Sequence, residues 1–150
     1  MAINSTMRTM GVGIIVRDNR GQVHAASSKN IISAQEPVVA EAMGALCAAE
    51  FSRDLGFQDV DLEGDSLQVV QAIREAGINW SSYGHITGDT RWVLNSLRSW
   101  TVGHVKRAAN SAAQHLAKEA VRDFIDKVWM EEVLMCIYDI VSLELTALSV

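Results

Sequence analysis

The sequence contains few proline, cysteine and aromatic residues, and each shortage argues against the presence of certain features, such as linkers or cysteine metal sites. Its 150 residues include one proline and two cysteines, and aromatic residues make up 6%. With one proline and no glycine- and serine-rich stretch, no linker or domain boundary is predicted. Cys47 and Cys136 lack metal-ligand partners at useful spacing and sit among apolar residues. They are therefore predicted to be buried thiols in a reducing compartment.

Targeting and membrane segments are also missing from the sequence. The N-terminal "MAINSTMRTM" has no basic segment followed by an apolar run, so no signal peptide is predicted and we expect an intracellular location, in cytoplasm or nucleus. The most apolar stretch, "VLMCIYDIVSLELTALSV", carries Asp139 and Glu144 and is barely long enough to cross a bilayer. We expect a packed tail, or a surface for a protein partner or self-association, and no membrane contact.

The composition indicates one folded domain, residues 1–150, with an acidic balance. Hydrophobic residues make up 49% and charged residues 21%, which is typical of a chain with a real core. The net charge of -5 argues against a strong, general nucleic-acid binder, although it leaves room for a local basic strip.

Hydrophobic periodicity predicts strands and helices in a mixed order. "GVGIIVRDNRGQVHAASS" reads as a hairpin, and its glycines are not a phosphate loop because no helix follows them. A helix is predicted from Pro37 to Gly56, then a strand over "DVDLEGD" and a short helix closed by Gly77. A helix around "DTRWVLNSLRS", a strand over "WTVGHVKR" and a helix over "NSAAQHLAKEAVRDF" follow. This order predicts an α/β fold, a mixed sheet covered by helices.

Two carboxylates stand where chemistry is possible. Glu41 lies on the small, apolar side of its predicted helix, where a buried carboxylate needs a partner, a metal ion or an opening to water. The alternative is that Glu41 lies at the helix margin and reaches solvent. Asp65 lies where a strand ends and a helix begins, so it is either an N-cap or a ligand. Ser66 could cap that helix instead and leave Asp65 free for another role.

A third group of polar residues lies in "HVKRAANSAAQHLAKEA". Lys106 and Arg107 end a strand and could contact phosphates, although a solvated basic strand end is an equal alternative. His104 precedes them, and a lone histidine is more often structural than catalytic. Asn110 would begin or cap the next helix, and Gln114 follows one turn later.

Taken in order, these segments resemble the ribonuclease H-like domain that is abundant in plants and related to the reverse-transcriptase-like ribonuclease H of retroelements. The resemblance covers about residues 10–141. It implies the ribonuclease H fold, a five-stranded mixed sheet flanked by helices. It also implies two divalent ions, usually Mg²⁺, held by four acids that cut the RNA strand of an RNA/DNA hybrid. Glu41 falls on the second family acid and Asp65 on the third.

The sequence departs from that family pattern at the other two acids. The first acid normally ends the first strand, but only "AINSTMRTM" precedes "GVG"; Ile3 and Asn4 echo that strand without an aspartate. The first strand is therefore expected to be truncated or degenerate. The fourth acid falls on Gln114, whose neutral oxygen is a weaker ligand for a hard cation. Glu63 and Asp61 are less favoured substitutes, because they lie further back along the strand.

Three functions remain open after this comparison. The favoured one is a nucleic-acid-binding domain with weak or lost hydrolysis, in which Glu41, Asp65 and weakly Gln114 form any Mg²⁺ or Mn²⁺ site. Lys106, Arg107, Asn110 and His104 would then contact an RNA/DNA hybrid or RNA. The alternatives are an active metal-dependent RNA/DNA-hybrid ribonuclease, and a protein-interaction domain or retroelement remnant. Trp80 and Tyr83 could approach bases, although packing under a loop is the favoured interpretation.

Overall fold

A computed structural model describes residues 8–33, 36–106, 111–123, 126–130 and 141–149. These residues form six strands and four helices. In chain order they are β1 (Arg8–Arg17), β2 (Val23–Ser33), α1 (Pro37–Asp54), β3 (Asp59–Gly64), α2 (Leu67–Arg74), α3 (Gly84–Leu94), β4 (Ser99–His104), α4 (Ser111–Asp123), β5 (Lys127–Met130) and β6 (Val141–Ser149).

The six strands form a single mixed sheet in the order β4-β3-β6-β1-β2-β5. Strand β3 runs parallel to both β4 and β6. Strand β1 runs antiparallel to β2 and β6, and β2 runs antiparallel to β5. Helices pack against this sheet, so the predicted fold class of a mixed sheet flanked by helices is confirmed. Residues 1–7 lie outside the described residues, and the truncated first strand stays a prediction.

The predicted hairpin is formed by β1 and β2, and Asp18 organises its turn. One carboxylate oxygen of Asp18 accepts hydrogen bonds from the backbone N–H groups of Arg20 and Gln22, at 2.8 and 3.0 Å. The other is 2.8 Å from Nε2 of His24. The His24 hydrogen bond is the main cause that lowers the pKa of Asp18. Gly21 adopts a φ of 83°, which completes the turn.

The predicted helix between Pro37 and Gly56 is α1. Pro37 occupies the first turn, where its missing N–H costs no hydrogen bond. Gly56 has a φ of 85° just beyond the C-terminal end, as expected of a residue that terminates a helix. The face of α1 against the sheet consists of small residues, which allow close packing: Ala42, Ala45, Ala48 and Ala49 are all buried.

Helix α3 begins earlier than its pattern predicted. The sequence indicated a helix around residues 89–99, but α3 spans Gly84–Leu94 and turns follow it. Thr87 and Thr90 are buried, and their hydroxyl groups donate to backbone carbonyl groups of Gly84 and Ile86, at 3.2 and 2.9 Å. Because these hydroxyl groups are hydrogen-bonded within their own helix, the threonines can lie on a buried helix face. An apolar pattern alone therefore missed the first turns.

Strands β5 and β6 were not predicted. Strand β6 is hydrogen-bonded on both edges, to β1 and to β3, and Leu143 within it is fully buried. For residues 141–149 the expectation of a packed tail is thus confirmed, whereas residues 131–140 lie outside the described part of the chain. Among the described residues, no helix is both long and apolar enough to cross a membrane.

The two faces of β1 have different partners. Met10, Val12, Ile14 and Val16 belong to the main core with α1. On the opposite face, Gly13 lies against α4, where a Cβ atom would stand 2.0 Å from the carbonyl oxygen of Ala113. The close approach of α4 explains why residue 13 is a glycine. Gly13 lies within a strand and is not part of a phosphate-binding loop.

The cysteine prediction is met only in part by the described residues. Cys47 is half-buried, and that burial raises the pKa of its thiol. Cys136 lies outside the described residues.

Candidate active site

Glu41 lies on the face of α1 that approaches the end of β3. Its neighbours Ala40 and Ala42 are buried, and Glu41 itself is half-buried. Glu41 lines a narrow cleft of about 10 Å³, with room for roughly one water molecule, together with Gly64 and Ser66. Apolar residues of β3, α2 and β4 form the rest of the wall, among them Leu62, Val69 and Val102. Glu41 is thus a half-buried acid between a helix and a strand end, and it is not fully enclosed by the core.

Asp65 lies between two residues that line this cleft, because it follows Gly64 and precedes Ser66. The Ser66 hydroxyl accepts a hydrogen bond from the backbone N–H of Val69 at 3.5 Å and caps α2. The cap therefore comes from Ser66, and Asp65 does not serve as the N-cap. The backbone of Asp65 stands beside the cleft that Glu41 lines, so helix α1 and the end of β3 converge at one place.

His104 joins Asp65 at the end of the neighbouring strand. It pairs with Gly64 across the parallel strands β3 and β4, and the N–H of Val105 donates to the Gly64 carbonyl at 2.9 Å. Nε2 of His104 lies 3.2 Å from the backbone carbonyl oxygen of Asp65. A carbonyl oxygen can only accept, so Nε2 carries the proton in this contact. His104 is exposed, and Lys106, also exposed, follows two residues later.

The remaining candidate ligand, Gln114, lies on helix α4. It lies in the first turn of α4, which packs on the face of β1 opposite α1. Its Nε2 atom is buried and has no hydrogen-bond partner among the residues that the structure describes. Gln114 does not line the cleft of Glu41. Two further predicted contacts, Arg107 and Asn110, lie outside the described residues.

Asp61 and Glu63 do not replace the missing acids at this cleft. They alternate with Val60 and Leu62, which are buried against α1, so both acids lie on the other face of the sheet. The Thr101 hydroxyl donates to Asp61 at 2.6 Å. Partial burial, followed by the charge of Asp61, raises the pKa of Glu63.

The donor set tests whether a pair of divalent ions fits. Across the described residues, no group of three or more histidine, cysteine, aspartate or glutamate side chains could hold a metal ion. Two divalent ions carry four positive charges, and Glu41 and Asp65 carry two negative ones. Hard cations such as Mg²⁺ need several oxygen ligands in regular geometry. The residues that the structure describes therefore do not fit a two-ion centre.

Of the two loop aromatic residues, one side chain is partly buried and the other is exposed. Tyr83 packs against the core, as predicted, but Trp80 is 90% exposed, so the prediction of packing is wrong for Trp80. On α3, Trp92 is 74% exposed, a feature that the sequence reasoning missed. In the sequence, the one indication of this exposure was that Trp92 lies on the polar side of the helix, away from the apolar face formed by Val93 and Leu94.

The mixed sheet and the cleft between α1 and the end of β3 define a ribonuclease H-like domain. Residues 2–120 match the family model described as "Reverse transcriptase-like", so the chain belongs to this family. This match covers both Glu41 and Asp65 and ends before β5 and β6.

Known proteins of the ribonuclease H class resemble this chain in sequence and structure. It is 34% identical over 79 residues to ribonuclease HI of Halobacterium salinarum, across 52% of this chain and 40% of that protein. The matched part thus spans less than half of the curated relative. The crystal structure of RNase H1 from the same archaeon superimposes with a TM-score of 0.71 and 27% identity, covering 81% of this chain and 92% of that one. The N-terminal RNase H domain of a Mycobacterium tuberculosis protein superimposes with a TM-score of 0.68 and 21% identity, covering 80% of this chain and 87% of that one. This structure shares the fold.

Proposed function

We propose that this chain is a ribonuclease H-type domain that binds an RNA/DNA hybrid or RNA and hydrolyses it weakly or not at all. One observation carries the proposal: the cleft of Glu41 adjoins Asp65, but no third acidic, histidine or cysteine ligand completes a metal group within the described residues. Relatives named ribonuclease HI and RNase H1 support the substrate class.

Binding is assigned to the end of β4. Exposed His104 contacts the Asp65 backbone, and exposed Lys106 follows it by two residues. A phosphate could meet their positive or proton-donating groups there. Arg107 and Asn110 remain predicted contacts of the same segment. The net charge of -5 opposes a polyanion at long range. We therefore expect modest affinity that falls steeply as salt rises.

Catalysis is limited by charge and by ligand number. In this proposal Mg²⁺ or Mn²⁺ binds weakly, with Glu41 and Asp65 as its protein ligands and substrate phosphate as an added source of negative charge. Gln114 could add only a neutral oxygen, and it lies on a helix of the opposite sheet face. Two carboxylates can thus support residual activity at most.

One experiment tests binding and cleavage together. A labelled RNA/DNA duplex is titrated with the protein at several salt concentrations, in Mg²⁺ and separately in Mn²⁺, and both bound fraction and product are measured. We expect salt-sensitive binding, weakened by Lys106→Ala, with little or no cleavage. Glu41→Gln and Asp65→Asn should abolish any cleavage, whereas Glu75→Gln, an exposed acid beyond α2, should leave it unchanged.

Three results would contradict parts of this proposal. Absence of binding to hybrid and RNA at low salt would refute the assigned function. Rapid multiple-turnover cleavage that depends on Glu41 and Asp65 would instead establish the alternative, an active hybrid ribonuclease. Cleavage that survives both substitutions would place the reaction elsewhere.

A protein-interaction role is the second candidate, and one observation favours it. Strand β5 forms an edge of the sheet and exposes Val128, Trp129 and Met130. Exposed apolar edges are typical of protein contacts. Concentration-dependent sedimentation of the whole chain tests self-association. A retroelement origin is part of this interpretation, and the reverse transcriptase-like family description supports it. The plant type stays a prediction.

A further inference from the structure

We propose that the C-terminal strand β6 assembles the candidate site by joining two otherwise separate parts of the sheet. The role of the site in nucleic-acid binding rests on the proposed function, but the structural role of β6 can be tested independently. It makes residues 141–149 a requirement for nucleic-acid binding, although they lie beyond the family-matched segment 2–120.

The strand order supports this role directly. Without β6 the remaining strands fall into two groups, β4-β3 and β1-β2-β5, and no other described strand connects them. Strand β6 pairs with β3 over Val60–Glu63 and with β1 over Met10–Arg17. Removal of its backbone would leave unpaired N–H and C=O groups on both neighbours, at a cost for each buried group.

The elements that carry the candidate residues meet at β6. Asp65 and His104 follow or end β3 and β4. Helix α4, which carries Gln114, packs on β1, β2 and β6. Helix α1, which carries Glu41, contacts β6 more extensively than β1 or β3. Strand β6 is therefore the element that α1, α4 and both strand groups share.

Leu143 is the side chain at this junction. It pairs with Leu62 of β3 on one side and with Val16 of β1 on the other. Leu143, Leu62 and Val16 all belong to the buried core. Leu62 also lines the cleft of Glu41, so Leu143 is one residue away from the cleft wall. Leu143 is a positioning residue in this account, because it acts on the site through Leu62.

The chain can supply β6 to its own sheet. Successive antiparallel pairings make β5 antiparallel to β6, so the end of β5 and the start of β6 lie at the same end of the sheet. Three strand spacings separate them, roughly 14 Å. The ten residues 131–140 between the two strands reach up to about 33 Å when extended. No second copy of the chain is needed to place β6.

The test uses the full chain and two matched leucines. Amide hydrogen exchange is measured on the unmodified protein, on Leu143→Ala and on Leu94→Ala, together with the affinity for a labelled RNA/DNA hybrid. Leu94 is as fully buried as Leu143, but it lies in α3. Leu143→Met, which conserves most of the volume, provides the rescue control.

We expect protected amides in β6 of the unmodified protein. Leu143→Ala should accelerate exchange in both β1 and β3 by at least about tenfold more than Leu94→Ala does. It should also lower hybrid affinity more than Leu94→Ala at a temperature where both are folded. Leu143→Met should restore both quantities.

Unprotected β6 amides in the unmodified protein would overturn the proposal, even if Leu143→Ala failed to fold. Equal effects of the two alanine variants on β1, β3 and hybrid affinity would overturn it as well. Protected β6 amides in a protein that binds no hybrid would refute the proposed function and leave β6 as the joining strand.

Discussion

Replacement of Gly13 by alanine tests the contact between β1 and α4. A Cβ atom at this position would lie 2.0 Å from the carbonyl oxygen of Ala113 and 2.8 Å from the backbone nitrogen of Ala117. Both neighbours are backbone atoms, so no side-chain rotation can relieve the clash. The helix or the strand must move.

The displacement can be estimated from that geometry. An ordinary contact between a methyl carbon and an oxygen needs more than about 3 Å, so α4 must retreat by roughly 1 Å from β1. Overpacking of this kind costs about 1–3 kcal/mol, and the backbone contact favours the upper half of that range. The same retreat separates Ser28 from α4, whose Leu116 carbonyl accepts the Ser28 hydroxyl at 2.8 Å.

Urea unfolding followed by circular dichroism measures the loss. We expect Gly13→Ala to lower the free energy of unfolding by about 2 kcal/mol with an unchanged m-value. Gly103→Ala is the matched control, because it also lies in a strand and a Cβ there meets no atom within 4 Å. That variant should be neutral or slightly stabilising, since glycine in a strand loses more backbone entropy than alanine.

A loss below about 0.5 kcal/mol for Gly13→Ala would refute the reasoning, because a backbone clash of this size cannot be that cheap. Equal losses for both glycines would attribute the effect to strand entropy and remove α4 from the explanation. Hybrid binding gives a second readout. Gln114 follows Ala113, so displacement of α4 should alter affinity only if that helix contributes to the site.

Three further predictions concern individual contacts. Ser66→Ala should lower the free energy of unfolding by about 0.5–1 kcal/mol, measured by urea unfolding, because α2 loses its N-cap; an unchanged value would mean that the long hydrogen bond contributes nothing. Hydrogen bonding to Arg98 lowers the pKa of Asp59 to about 2, below the ordinary 3.8, so the stability that Asp59 contributes is present above pH 3.8 and lost as pH falls through 2. Unfolding midpoints between pH 2 and 5 should therefore fall more steeply for the unmodified protein than for Asp59→Asn, and parallel curves would exclude the contribution. Trp80→Ala should weaken hybrid binding by about 1 kcal/mol or more if a base stacks on it, whereas equal effects of Trp80→Ala and Trp92→Ala would indicate a general surface effect.

Local chemistry allowed most of the early fold to be predicted from sequence. Pro37 and Gly56 mark the two ends of α1 because proline suits a first helical turn and glycine accepts a positive φ. The same reasoning places the β1–β2 turn at Asp18 and Gly21. These residues act within a few positions of themselves, so a linear pattern contains their cause.

Nonlocal partners explain the errors. The segment "VSLELTALS" alternates apolar and polar residues, a strand pattern that the strongly apolar run before it obscured. Trp80 was expected to pack, but nothing in a loop sequence specifies whether another element covers an indole ring. The early turns of α3 were missed because threonines that bond to their own helix carbonyls look polar in sequence.

The sequence by itself determined which two residues offer the candidate carboxylates, Glu41 and Asp65, because residue type and charge are fixed before folding. The choice of Ser66 over Asp65 as the cap of α2 came from the structure. Only the tertiary structure decided that Glu41 shares a cleft with the residues on both sides of Asp65, that His104 contacts the Asp65 backbone, and that Gln114 lies across the sheet. It also decided that β6 separates β1 from β3. Strand order and helix placement depend on contacts between distant residues, and those contacts exist only once the whole sheet has formed.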